Sequence, residues 1–286
     1  MNSRFLTTTA LFILSTTLTT ETSFGSLVAH YAFEEAEPSD GAGQVLDSVG
    51  SQHGTTVLGA GVTQGVAGKF GNAYDFTAGG VDLGAGATVQ PSDNFTISFW
   101  LNLSTANNFD RFLESQSGNG NAQHGIRLDS GGSGGDNFRA LIRSGAASNT
   151  QVQHSTDITP GNWYFAAARY DTSNTGNELR VTLLADGPTI GAGAITAATE
   201  ASATFVTGAI DTPHARPTLI GMEVNAGNTN NLRGSLDDLA FFDRALSDQE
   251  LADAFNLGAA SFAIPEPSSA GLLLIGTVLL MARLRR

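Results

Sequence analysis

Glycoside hydrolysis is the reaction that an acid-rich sequence invites first, because it needs two carboxyl groups about 5–9.5 Å apart across one cleft. The densest acidic run here is Glu34-Glu35-Ala36-Glu37, and Pro38-Ser39-Asp40-Gly41 follows at once, so it reads as a solvated loop. Gly131-Gly132-Ser133-Gly134-Gly135 has the form of a nucleophile elbow, with His154 and His214 as the bases it would recruit. Such an elbow needs a strand before the serine and a helix after it, whereas residues 136–143 read as a strand. The segment is therefore expected to be a hairpin loop. The five histidines (His30, His53, His124, His154, His214) are scattered, contain no His-x-x-x-His, and are joined by no cysteine. Zinc sites, thiol catalysis, iron–sulfur clusters and disulfides are excluded or unsupported on those grounds. A non-enzyme is expected.

Charge narrows the partners. The formal net charge is -13, and between Glu34 and Asp253 there are 25 acids against 10 bases, a balance of -15. Such a surface repels phosphate backbones, so nucleic acid is not an expected partner. It suits hard cations such as calcium, or serves solubility alone. Asp129-Ser130-Gly131-Gly132-Ser133-Gly134-Gly135-Asp136-Asn137 echoes a calcium-binding nonapeptide, but one copy cannot build the stacked helix in which such loops bind, and a flexible hairpin is expected. For sugar binding, Asn225-Ala226-Gly227-Asn228-Thr229-Asn230-Asn231 is rich in amides and lacks an aromatic ring. Trp100, Trp163, Tyr164 and Tyr170 fall in strands, where core packing is the default. The ligand-binding residues stay unassigned.

The elements that must position these groups are mostly strands. Leu27–Phe33, Phe95–Leu103, Phe138–Arg143, Trp163–Tyr170 and Leu179–Ala185 are short apolar or alternating runs separated by Gly, Asn, Ser and Asp clusters. In Phe95–Leu103 the alternation is broken only by Trp100. One helix is expected from Asp248 to about Leu257. Ser247 and Glu250 form a capping box, Leu251 and Phe255 an i, i+4 pair, and Gly258 a stop.

Both ends read as address labels. Arg4, the uncharged run Phe5–Leu18 and small residues at Ser23, Gly25 and Ser26 have the order of a signal peptide spanning 1–26. Pro265-Glu266-Pro267 is followed by the apolar run Ala270–Ala282 and then by Arg283, Arg285 and Arg286. That run is shorter than the ~20 residues of a relaxed membrane span, and its basic end would stay cytoplasmic. The order resembles the PEP-CTERM sorting signal of Gram-negative bacteria. It implies cleavage near Pro265 by an exosortase-type enzyme, transient anchoring in the inner membrane through a transmembrane helix, and delivery to the cell surface or extracellular matrix.

Between these ends, several blocks in order resemble a concanavalin A-like, laminin G-type jelly roll. They are Leu27–Phe33 with Val45-Leu46-Asp47-Ser48, Lys69–Phe76, Phe95–Leu103, Gly161–Phe165 and Leu236–Phe242, closed by Arg244-Ala245-Leu246-Ser247. The resemblance implies an all-β sandwich of two antiparallel sheets over 27–260, with one short C-terminal helix, and a sorting segment over 261–286. It commonly implies a structural calcium too. The matching positions are Asp47 and the pair Asp237 and Asp238, with carbonyls near His53 or Gly54 completing the shell. Catalytic relatives carry Glu-x-Asp-x-x-Glu on one strand, a motif absent here. The function implied is a surface-displayed, non-catalytic module binding extracellular polysaccharide or a surface protein. The alternatives are a structural matrix component without a specific ligand and, third, a glycoside hydrolase.

Overall fold

The computed structural model describes residues 27–35, 44–57, 61–105, 107–116, 124–132, 136–144, 148–173, 177–204, 210, 214–223 and 230–263. The segment 1–26 expected to be a signal peptide, Pro265, Glu266, Pro267, the apolar run and the terminal arginines lie outside them. So do the Pro38–Gly41 turn, Ser133–Gly135 and most of the amide-rich loop. Among the described residues no helix is long and apolar enough to cross a membrane.

The strands in chain order are β1 (Leu27–Tyr31), β2 (Thr55–Val57), β3 (Val62–Ala67), β4 (Asn72–Phe76), β5 (Gly80–Asp82), β6 (Phe95–Leu103), β7 (Arg111–Gln116) and β8 (His124–Ser130). There follow β9 (Asn137–Ser144), β10 (Ser148–Asp157), β11 (Trp163–Asp171), β12 (Glu178–Ala185), β13 (Glu200–Thr204), β14 (Leu219–Ile220) and β15 (Gly234–Phe242). Helix α1 (Asp248–Leu257) comes last, with a 3-10 turn at Ala259–Phe262. One sheet runs β13-β12-β11-β6-β15-β4-β3, with β1 also on β15; the other runs β10-β9-β8-β7-β14-β5-β2. All pairs are antiparallel, as the short turn-separated runs require.

Strand β6 explains both layers of the core. Phe95, Ile97, Phe99, Leu101 and Leu103 point between the sheets, where they meet Phe112, Phe138 and Ile142 of the second sheet. Trp100, the break in the alternation, points the other way. It lies under α1, with its ring 4.9 Å from Phe255 and 5.7 Å from Phe165. The larger sheet is therefore covered on both faces, and the second face is held by a helix whose boundaries match the sequence expectation. Ser247 accepts from the Glu250 amide while the Glu250 carboxylate accepts from the Ser247 amide, the reciprocal cap that fixes the first turn. Gly258 leaves the helix at φ 78°, a backbone conformation that only glycine adopts without strain.

Strand β15 changes neighbour along its length. Residues Gly234–Leu236 pair with β4 and Leu239–Phe242 with β1, while β6 follows the other edge. The irregularity falls at Asp237 and Asp238, and Asp238 takes φ 53°. This kink turns two successive carboxylates toward different segments of chain.

Candidate ligand-binding face

The seven-stranded sheet carries hydrocarbon on its inner face and charge on its outer one. Phe112, Ile126, Leu128, Phe138, Ala140 and Ile142 enter the core, leaving Arg111, Glu114, Arg127, Asp129, Arg139 and Leu141 on the opposite side. Register sets them in two rows, Arg111–Asp129–Arg139–Gln153 and Glu114–Arg127–Leu141–Gln151. A bulge between Arg111 and Leu113 lets Arg111 and Glu114 share this face although they are three positions apart.

Asp129 is the centre and is fully buried (0 %). Arg139 grips it with two bonds, Nε to Oδ1 at 2.7 Å and Nη2 to Oδ2 at 2.8 Å. Arg111 Nη1 donates to Oδ2 at 2.9 Å. Arg127 Nε stands 2.8 Å from the same oxygen, near enough to pair electrostatically but without the alignment of a hydrogen bond. Arg111 also donates from Nε to Glu114 Oε2 at 3.0 Å, and its Nη2 lies 3.5 Å from Glu223 Oε1. Burial pushes the Glu114 carboxyl above the usual range against the pull of Arg111, and it pushes the Arg127 guanidinium down against the pull of Asp129. Three guanidinium groups thus converge on one carboxylate whose lone pairs are committed. Asp129 is thereby held as an acceptor on both oxygens.

At the rim stands Phe109, 36 % exposed, the one exposed aromatic ring among the described residues. Its backbone lies at φ 69°, an unusual conformation for a bulky residue, and its carbonyl accepts from Arg111 Nη1 at 2.8 Å. The ring is held against Arg139, whose Cζ is 5.1 Å from the centroid. A Cβ on Gly132 would come within 1.8 Å of the ring, so any larger residue there would have to displace Phe109. Strain maintained by surrounding contacts is a recurrent feature of ligand-contacting residues. Next to it, Asp110 is 1 % exposed and its Oδ2 has no hydrogen-bond partner. Burial raises its carboxyl to about 7, Arg233 opposing and Asp136 adding to the rise.

These residues correct one sequence expectation. The glycine-rich run places Asp129 in a flexible hairpin, but β8 continues through Ser130 and Asp129 anchors the charge network. The signal is present in Ile126-Arg127-Leu128-Asp129, which alternates core and outer face. Phe109 carries no such signal, because a single phenylalanine in a polar stretch says nothing about which way it points.

The positions expected to hold calcium are brought close together, and all but one of the carboxylate oxygens there already serve as acceptors. Asp47 Oδ1 accepts the amides of His30 (3.1 Å), Val49 (3.0 Å) and Gly50 (3.0 Å), and Oδ2 that of Gln52 (3.2 Å). Asp238 Oδ1 lies 2.7 Å from His30 Nε2, and Oδ2 accepts from the Ala259 amide at 2.8 Å. Because a carboxylate only accepts, Nε2 carries hydrogen, and Nδ1 meets the Ser48 hydroxyl at 2.7 Å. Asp237 Oδ2 accepts the amides of Lys69 (2.7 Å) and Phe70 (2.8 Å). Its Oδ1 is buried without a partner, and burial raises this carboxyl to about 7. His53 Nδ1 accepts from the Asp47 amide, and the Gly54 carbonyl accepts from Val45. Among the described residues no group of three or more metal-binding side chains converges. Of the atoms in Asp47, Asp237 and Asp238 that a calcium ion would use, most already accept N–H groups, and Asp237 Oδ1 is the buried one left without a partner.

A cavity of about 360 Å³ opens elsewhere, between Arg169, Asp171, Glu178 and Arg180 of β11 and β12 and the segment 244–248 that leads into α1. Its arginines are engaged. Arg169 donates to the Leu246 carbonyl and to Asp248, both at 2.8 Å, and pairs with Glu200, while Arg180 pairs with Glu178 and Arg244 with Glu250. This is a clamp on the start of the helix.

No curated protein matches the chain by sequence. Among solved structures, the chain is similar to the binding domain of botulinum neurotoxin serotype G, with 12% identity and a TM-score of 0.54 over 80% of this chain and 50% of that one. The serotype D binding domain gives 12% identity and a TM-score of 0.50 over 80% of this chain and 51% of that one. The chain thus spans about half the length of these toxin domains, and the likeness is one of fold. A CBM40 module of a Ruminococcus gnavus IT-sialidase, bound to alpha2,3 sialyllactose, shares 18% identity over 59% of this chain and 86% of that one, at a TM-score of 0.43. Residues 75–252 match the laminin G-type family described as the concanavalin A-like lectin/glucanases superfamily. With that match spanning most of the two sheets described above, the chain belongs to the concanavalin A-like lectin/glucanases superfamily.

Proposed function

We propose that this protein is a non-catalytic binding module, displayed outside the cell, which holds extracellular polysaccharide on the outer face of its seven-stranded sheet. The observation that carries the reading is Phe109, an exposed ring held in a strained backbone conformation beside a floor of buried charge. An aromatic ring at such a rim offers a stacking surface for the apolar face of a sugar, and Arg127, the most exposed of the three guanidinium groups around Asp129, is the one left to donate to its oxygens. The similar toxin binding domains agree with recognition as the role, as an analogy of fold. Export rests on the segment 1–26, and display on Pro265-Glu266-Pro267 with the basic end, through an exosortase-type enzyme at the inner membrane and then release to the surface or matrix.

A glycan array probed with the wild-type protein and with Phe109→Ala tests the reading. The expected result is a defined set of hits that weakens about tenfold or more in the variant, as loss of one stacking ring predicts. No hit above background for the wild type would leave the structural matrix component as the better account.

A further inference from the structure

The three arginines around Asp129 are not equivalent. Arg111 spends Nε on Glu114 and Nη1 on Asp129 and the Phe109 carbonyl, with Nη2 facing Glu223. Arg139 spends Nε and Nη2 on Asp129 and lies against the Phe109 ring. Arg127, on the strand between them, approaches Asp129 through Nε, and that nitrogen makes no hydrogen bond. Its side chain is the most exposed of the three, 14 % against 5 % for Arg111 and 8 % for Arg139. Nε itself is buried, so that exposure falls on the other atoms of the side chain. Its neighbours along the row are Glu114 and Leu141, one a carboxyl that burial drives toward the neutral form and the other a hydrocarbon.

Resting on the polysaccharide reading above, we infer that the outer fork of Arg127 selects sugars bearing a carboxylate, so that the module's ligand is an acidic glycan. A guanidinium edge presents two parallel N–H donors that match the two oxygens of a carboxylate, and a partly desolvated site strengthens that bond over its value in water. A single fork matches one negative charge, which favours a carboxylate over a dianionic phosphate. Phe109 and Arg127 meet the same network, Phe109 through Arg139 and Arg127 through Asp129. The charge of the whole domain on its own repels anions. Discrimination of this kind therefore has to come from the local site.

Calorimetric titration of the full chain with oligogalacturonate, its methyl ester, sialyllactose and lactose tests it. The two acidic probes distinguish hexuronic from nonulosonic sugars. The wild type is expected to bind at least one acid well above its neutral counterpart. Arg127→Gln should lower that affinity roughly 10–100-fold, the loss of a charge-assisted bidentate contact, and so narrow the gap between an acid and its neutral partner, and Arg127→Lys should recover part of it. Equal affinity for an acid and its neutral partner, or an unaltered affinity in Arg127→Gln, overturns the inference and leaves the polysaccharide reading standing. Absence of binding to all four probes, with no array hits, removes both. If Arg127→Gln fails to fold, the acid-against-ester comparison on the wild type decides alone.

Discussion

Asp110 and Asp129 are both buried near the rim, yet their surroundings differ in kind. Asp129 has guanidinium donors on both oxygens, whereas Asp110 has an oxygen without a partner and is raised to about 7. For Asp110 the folded state holds a proton that the unfolded chain releases near 3.8. Stability from this residue is therefore full at acid pH and declines as pH rises from about 4 to about 7. Asp110→Asn should remove that decline, making the variant more stable than the wild type at pH 8 by on the order of 1–3 kcal/mol, with little difference at pH 4. Urea unfolding of both proteins at the two pH values checks this, and a wild type that is the more stable at pH 8 contradicts it. A carboxyl kept near neutrality beside Phe109 also avoids adding repulsion where an acidic sugar is proposed to sit.

At the level of elements, the first strand and the last are tied by one side chain. His30 on β1 gives its amide to Asp47 in the following loop and its ring to Asp238 on β15, and it is only 2 % exposed. The kink at Asp237–Asp238 exists where β15 passes from β4 to β1, and it aims Asp238 at this imidazole. It adds a side-chain link to the backbone pairing of β1 with β15. Two outcomes follow for one measurement. Thermal unfolding with excess calcium and with chelator, at constant ionic strength, should give equal midpoints. His30→Ala should lower the midpoint by roughly 5–10 °C, since it strands a buried carboxylate at a cost of about 2–4 kcal/mol. A calcium-dependent rise of several degrees would show that the carboxylates rearrange around an ion after all.

For the whole molecule, the domain's balance of -15 sets how an acidic polymer arrives. Long-range repulsion acts over about 30 Å at 0.01 M salt and about 8 Å at 0.15 M, whereas the contact at Arg127 is short and partly buried. Added sodium chloride should therefore speed association of a polyuronate by roughly tenfold across that range and change its dissociation far less. A protein with a basic binding surface shows the opposite sign. Surface plasmon resonance across the salt series checks it, and an association rate that falls with salt would point to a basic patch elsewhere on the chain.

Local order in the sequence determined the elements. The alternation of Phe95–Leu103 set the limits of that strand, and the Ser247–Glu250 box and Gly258 set both ends of α1, because backbone pairing and capping act within a few residues. The same alternation could not say why Trp100 faces the other way; only the packing of α1 on the larger sheet gave that face a purpose. The binding face was decided by tertiary structure for a related reason. A period of two tells which residues share a side, but Arg111 meets Asp129 across 18 positions and His30 meets Asp238 across 208. The chemistry of a carboxylate depends on which donors reach it, so Asp47 and Asp238 resemble metal ligands in one dimension and are acceptors of amides and imidazole in three.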